Sequence, residues 1–285
     1  MTEHEAASSG APATHPHPAP SAGGPFDYRG RWALVTGASM GIGEAFARAL
    51  AARGMNVVLC ARSGDRLQAL AQDLRAEHRV QTHVVDADLA QPGAAAEAWT
   101  RAAAGRDIHL LVNNAGFGLH GRFEALPADR QCEMIALNCT AVLELAHLAL
   151  EGMRARGTGG IVNVASVVAF QPVPWMATYA ATKAFVLSLS QSLTEENRGT
   201  GVRVLCVSPG PTPSGFQATA GTRLRANQPG LLQPREVVDA ALAALDAGRA
   251  HVAPGVANRL STVFGRLLPL GTVTRIARRI NEKRT

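Results

Sequence analysis

The sequence predicts an α/β fold, a single doubly wound parallel sheet of about seven strands with helices on both faces. Two observations carry this. Short apolar or β-branched runs alternate with longer helical patterns from Trp32 to Ala253, the pattern of strands joined by helical crossovers. The first run, Trp32 to Val35, passes directly into Thr36-Gly37-Ala38-Ser39-Met40-Gly41-Ile42-Gly43 and then a helical stretch. That places a strand, a glycine turn and a helix at the head of the domain. The 285 residues suffice for one large domain with a substantial core. No repeat with a period of about 20–50 residues divides it.

The elements follow in order. After the glycine turn, Glu44 to Arg53 reads as a helix and Asn56 to Cys60 as a second strand. Gly64 to His78 is amphipathic, with Leu67, Leu70, Ala71 and Leu74 on one face. Val80 to Val85 is a third strand, Ala94 to Ala104 a helix and Ile108 to Val112 a fourth strand. Pro127 to Arg154 reads as one long helix, Ile161 to Ala165 as a fifth strand and Ala177 to Arg198 as a further helix. Val202 to Val207 is a sixth strand. Residues 213–233 lack periodicity and carry Gly and Pro, which predicts a mobile substrate lid. Glu236 to Ala247 is the last helix of the domain, and His251 to Ala253 closes the sheet.

The domain spans 28–254, with order beginning at Tyr28. Residues 1–25 are rich in Ala, Pro, Ser, Gly and His and have little to bury, so a disordered leader is expected. His4, His15 and His17 have no frame to hold a metal, and no metal site is expected. Residues 255–285 form a basic, partly apolar tail. From His251 onward seven basic residues face Glu282 alone, which accounts for the whole net charge of +6. The rest of the chain is balanced, so the basic footprint of a nucleic-acid binder is absent. Within the tail, Leu260, Val263, Phe264, Leu267, Leu268 and Leu270 precede the arginines, and Gly265, Pro269 and Gly271 are expected to interrupt any single helix. Packing on the domain or on a neighbouring subunit is preferred to anchoring on a membrane surface. No apolar run reaches the length of a membrane-spanning helix, and no secretory signal pattern opens the chain. Cys60, Cys132, Cys139 and Cys206 lack paired metal spacing. Reduced thiols in a cytoplasmic protein are expected.

The ends of the strands carry the chemistry. The glycines of Gly37-x-x-x-Gly41-x-Gly43, with Ser39, Met40 and Ile42 between them, let a pyrophosphate approach the backbone and the start of the helix. After the second strand comes Ala61-Arg62-Ser63, with no acid between Val57 and Gly64. An acid there would hold the ribose hydroxyl of NAD; Arg62, with Ser63, suits a 2′-phosphate and therefore NADP. Asp88, with Leu89, follows the third strand, placed either for an adenine amino group or for a helix cap. Asn113 and Asn114 are suited to tying strand ends together, and Ala115-Gly116 permits close approach. Pro209, Gly210 and Thr212 follow the sixth strand, Thr212 placed to bond a nicotinamide carboxamide.

Tyr179 and Lys183 are four residues apart on one helical face. The lysine is expected to favour the phenolate and lower the tyrosine pKa. Ser166, delivered at the end of the fifth strand, can bond the same substrate oxygen. Together these make an acid/base site for a carbonyl or an alcohol. Asn138 sits inside the long helix beside Leu137 on an apolar face. Alongside the other three, a role in proton relay is expected for it.

These motifs in order resemble the short-chain dehydrogenase/reductase family, whose Rossmann-type fold the match covers from about Gly30 to Ala253. The resemblance implies that Asn138, Ser166, Tyr179 and Lys183 are a catalytic tetrad. Tyr179 would protonate a carbonyl oxygen as NADPH delivers hydride, or do the reverse on an alcohol. Lys183 would also hold the nicotinamide ribose, and Asn138 would position a water linking Lys183 to solvent. Many NADP-using members carry a basic residue in the glycine turn, where this chain has Met40. Glu44-Ala45-Phe46-Ala47, Ala61-Arg62 and Gly116-Phe117-Gly118 are similar to bacterial acyl and steroid ketoreductases, which implies a lipophilic ketone or aldehyde. Members commonly assemble through the helices that hold Asn138 and Tyr179, so a homodimer or homotetramer is expected. The competing readings are a non-enzymatic NADP-binding regulator, an NAD-dependent alcohol dehydrogenase, and an isomerase or dehydratase on the same fold.

Overall fold

A computed structural model describes residues 24–224, 226–267 and 269–282. The described residues form one seven-stranded sheet in the order β3-β2-β1-β4-β5-β6-β7, every pairing parallel. The strands are β1 Trp32–Thr36, β2 Asn56–Ala61, β3 Thr82–Asp86, β4 Ile108–Asn113, β5 Gly159–Val164, β6 Val202–Val207 and β7 His251–Val252. Sequence order reverses between β1 and β4, the switch point at which open α/β sheets collect ligands.

Helices cover both faces. On one lie α1 (Gly41–Ala52), α2 (Gly64–His78) and α8 (Pro234–Asp246), packed through Phe46, Leu50, Leu67, Leu74, Val237 and Leu242 onto Val35, Val57 and Leu59. On the other lie α3 (Ala94–Ala103) and α5 (Ala141–Arg156), whose Ala98, Ala102, Leu145 and Met153 meet Leu34, Val58 and Leu111. Neighbouring strand residues such as Leu34 and Val35 therefore serve opposite layers, as the two-residue period of a strand requires. Both are completely buried, each burial contributing roughly 1.5–3 kcal/mol. Local signals agree with the packing. Pro234 opens α8, and the Gln233 backbone N–H donates to the Glu236 carboxylate at 2.7 Å in a capping box.

Three expectations need correction. The expected single helix from Pro127 is α4 (Ala128–Ile135), a π-helical turn Ala136–Thr140, and α5. Over 128–156 it is long and apolar enough to cross a bilayer, yet Leu145, Ala149 and Met153 are buried on the sheet, which makes it a core helix. Order begins before Tyr28: Phe26 is buried, and its amide donates to Asp246 at 3.2 Å. Of the expected leader, residues 1–23 lie outside the described residues. The tail is interrupted at Pro269, as expected, but Gly265 and Gly271 do not break it. It forms two helices, α9 (Val256–Leu267) and α10 (Leu270–Glu282), and both glycines lie inside them. Residues 213–233 hold a short helix, α7 (Phe216–Ala220), and α6 spans Ala177–Glu196.

Candidate active site

The glycine turn leaves β1 with Gly37 at φ 65° and Gly41 at φ 61°, a left-handed backbone that L side chains rarely adopt. A Cβ at Gly37 would lie 2.8 Å from the Asn114 side chain, and one at Gly43 would collide with the carbonyl of Gly37. Met40 is the N-cap of α1 and gives no side-chain cap bond. Ser39 lies in the turn beside it. The first N–H groups of α1 are thus left for a ligand, beside the positive end of the helix. Ile42 packs on the core below the turn.

Asn114 ties β4 to β1. Its side chain donates to the carbonyls of Thr36 and Gly37 at 2.9 and 3.3 Å, while the Thr36 hydroxyl accepts from the amides of Asn114 and Ala115, both at 3.0 Å. Asn113 donates to Asn163 on β5 at 3.0 Å. The expected strand-tying role holds for both asparagines.

Arg62 stands just past β2 with its side chain 64% exposed, its guanidinium 3.9 Å from Glu133 on α4. Ser63 is the exposed N-cap of α2 and makes no cap bond. The residues that follow β2, Arg62, Ser63 and Gly64, include no acid. Asp88 has a local role: one carboxylate oxygen accepts from the amide of Ala90 at 3.2 Å, and the other from Gln91 at 3.4 Å. Leu89 is buried beside it. At the far end of the sheet, the carbonyl of Pro209 accepts from the amide of Val167 at 3.0 Å, and the Thr212 hydroxyl donates to the carbonyl of Gly210 at 3.2 Å. Backbone cradle, uncapped helix start and the cation after β2 fit a dinucleotide with a 2′-phosphate.

Tyr179, Lys183 and Asn138 are all buried, and the structure gathers them with Ser166 at the carboxyl end of β5. Lys183 donates to the carbonyl of Val164 at 2.8 Å, with its nitrogen 5.9 Å from the centroid of the Tyr179 ring. Burial pushes the Tyr179 pKa up to about 12, against the lowering effect of a hydrogen bond with Ser166. The expected lowering by Lys183 is not found. Burial also pulls Lys183 down to about 8, with Cys139 and Cys206 acting the other way. Both charged forms are deprived of water, and that outweighs the opposing effects of Ser166 on the phenol and of the two thiols on the lysine.

Asn138 lies in the π-helical turn, a local irregularity often found at functional sites. Its side chain donates to the carbonyl of Phe117 at 2.9 Å and to the Thr182 hydroxyl at 3.0 Å, and accepts from the amide of Phe117 at 3.1 Å. Its donors are fully used, so in this arrangement it clamps the loop after Gly116. A Cβ on Gly116 would fall 2.8 Å from Asn138 and 3.5 Å from the Lys183 nitrogen.

Three residues escaped the sequence reading. Thr182 receives Asn138 and lies next to Lys183, so the only signal for it is adjacency. Phe216 packs on Tyr179 with ring centroids 5.1 Å apart. It comes from the aperiodic segment and gives no signal. Asn258 on α9 is buried and reaches the Pro209–Thr212 turn, where a Cβ on Gly210 would strike it.

The short-chain dehydrogenase family model matches residues 31–224. A very-long-chain 3-oxoacyl-CoA reductase of Pyrenophora tritici-repentis is 34% identical over 81% of this chain and 67% of its own length. A 7beta-hydroxysteroid dehydrogenase of Collinsella aerofaciens is 34% identical over 74% of this chain and 81% of its own. Among solved structures, a short-chain dehydrogenase from Sphingobium yanoikuyae in complex with NADPH superposes with a TM-score of 0.75. It is 38% identical, over 82% of this chain and 92% of its own. The parallel order across the β1/β4 switch point, the glycine cradle and these likenesses agree: the chain belongs to the short-chain dehydrogenase family.

Proposed function

We propose that this oxidoreductase transfers hydride between NADP(H) and a lipophilic ketone, aldehyde or alcohol, with Tyr179 as the general acid/base. The observation that carries the reading is the gathering of the buried Tyr179 and Lys183, one helical turn apart, with Ser166 at the carboxyl end of β5. NADPH, when bound, supplies the hydride. Tyr179 then gives its phenolic proton to the carbonyl oxygen, and Ser166 shares that oxygen as a hydrogen-bond donor. Lys183 sets the charge beneath the phenol from its anchor on Val164. Gly37, Gly41 and Gly43 would hold the pyrophosphate, and Arg62 with Ser63 the 2′-phosphate. Thr212 would face the nicotinamide side.

The lipophilic substrate is supported by the apolar cluster of Phe117, Met134, Val173, Met176 and Phe216 around Tyr179. The steroid and long-chain acyl substrates named for the two curated relatives point the same way. A homodimer or homotetramer is supported by Ile135, Leu143 and Phe185, exposed apolar residues on the helices that hold Asn138 and Tyr179.

The test has two parts. Tyr179→Phe is expected to abolish turnover of ketones with NADPH while leaving NADPH binding within about twofold; retained turnover would remove Tyr179 as the acid. Arg62→Asp is expected to reverse a preference for NADPH over NADH in a binding titration. Equal preference before and after would leave Arg62 a surface charge.

A further inference from the structure

Helix α9 is turned inside out. Its inward residues Asn258, Thr262 and Gly265 are buried, and they are polar or small. Asn258 donates to the carbonyls of Gly230 and Pro254 at 2.9 and 2.8 Å. Gly265 lies against Phe170 and Gln171, on the loop that follows Ser166. The outward residues are mostly apolar, with Arg259 and Ser261 exposed among them. Val256, Leu260, Val263, Phe264 and Leu267 follow helical spacing along one face and are 71, 53, 46, 58 and 75% exposed. A surface helix of a globular domain faces the other way. A continuous exposed stripe of this kind marks an interaction site.

Residues 1–23 carry one large apolar side chain, Met1, and residues 283–285 carry none, so these segments offer little apolar surface to pair with the stripe. A second copy is disfavoured by charge. In α10, Val273 and Ala277 turn inward while Arg275, Arg278 and Arg279 are exposed. Residues 247–285 hold one acid, Glu282, against eight basic residues. A two-fold pairing of this surface with itself would set cation against cation. An anionic bilayer matches both features, with phosphates for the arginines and an acyl boundary for the stripe.

We propose that α9 and α10 dock the protein on an anionic lipid surface. The α9 stripe enters the headgroup boundary, and Arg275 and Arg279 engage headgroup phosphates. The docked face adjoins the candidate active site, because α9 rests on the loop after Ser166.

Flotation of the full-length protein with vesicles tests this. The protein is expected to float with phosphatidylcholine vesicles containing phosphatidylglycerol, and to stay behind with phosphatidylcholine alone. The triple variant Leu260→Ser, Phe264→Ser, Leu267→Ser should lose flotation to the phosphatidylcholine background, with circular dichroism and melting temperature retained. Arg275→Glu with Arg279→Glu should lose it as well. Failure of the native protein to float with either vesicle would overturn the proposal, as would undiminished flotation of the triple serine variant. Sedimentation gives an independent check: a native oligomer that the serine variant splits, with no vesicle binding, would assign the stripe to a second copy instead.

Discussion

The ammonium of Lys183 donates to the carbonyl oxygen of Val164 at 2.8 Å, so a buried cation pins α6 to the end of β5. Burial holds that cation's pKa at about 8, below its usual 10.5. Between those values the unfolded chain carries a proton that the folded chain does not, so stability from this group rises with pH across that window. Below pH 8 the full penalty applies. Lys183→Met is therefore expected to stabilise the fold at pH 7 by about 2 kcal/mol, the relief from desolvation exceeding the lost hydrogen bond. The gain should shrink toward about pH 9.5, as denaturant melts at the two pH values would show. Tyr179 acts in the opposite sense above pH 10, since its pKa is raised from 10.0 to about 12.

The same two groups shape the pH profile. Tyr179 keeps its proton up to about 12, so the acid is present throughout the working range. The ammonium of Lys183 is lost near pH 8. For ketone reduction, kcat/KM is expected to be flat below pH 8 and to fall above it, by at most about tenfold per pH unit. Lys183→Arg keeps its charge and should carry that break out of range. A break that stays near 8 in this variant would belong to another group.

Asn138 makes three side-chain hydrogen bonds, two of them to the backbone of Phe117. Asn138→Ala leaves buried backbone groups unpaired and is expected to cost about 3 kcal/mol. Thr182→Val removes one of the three and should cost about 1 kcal/mol. Hydrogen exchange at the Phe117 amide should accelerate strongly in the first variant and little in the second.

Two helix-start glycines should respond oppositely to alanine. At Gly43 the new Cβ meets the rigid carbonyl of Gly37. Gly43→Ala is expected to lose about 1–3 kcal/mol and to weaken NADPH binding. At Gly64 the nearest atom is the Asp86 Cβ at 3.7 Å, an ordinary contact. Gly64→Ala should gain about 0.5 kcal/mol through the unfolded chain. Thermal melts of the two variants side by side decide this.

Phe216 is wedged between Tyr179 and Gly118, where a Cβ would come within 2.5 Å of its ring. Phe216→Ala is expected to lower KM for bulky ketones relative to small ones, with NADPH affinity unchanged. Gly118→Ala, which displaces the ring, should shift the same ratio in the same direction. An unaltered ratio in both variants would place the substrate elsewhere.

What the sequence disclosed follows from distance along the chain. The glycine cradle and the Tyr179/Lys183 pair are set by short spacings that fix geometry whatever lies around them, and alternating runs are enough to order the layers. Burial was not legible, and it reversed the direction expected for the Tyr179 pKa. Phe216 and Asn258 were missed because only tertiary folding brings an aperiodic segment and a terminal helix to the strand ends. The tail was misread at Gly265 and Gly271 because a glycine inside a helix costs only about 1 kcal/mol, which packing readily offsets.

The carboxamide of Asn258 stands between two glycines, and a Cβ on either Gly210 or Gly230 would strike its oxygen. Those glycines bracket the stretch that carries Phe216. One side chain from α9 therefore buttresses both ends of the stretch whose aromatic ring rests on Tyr179.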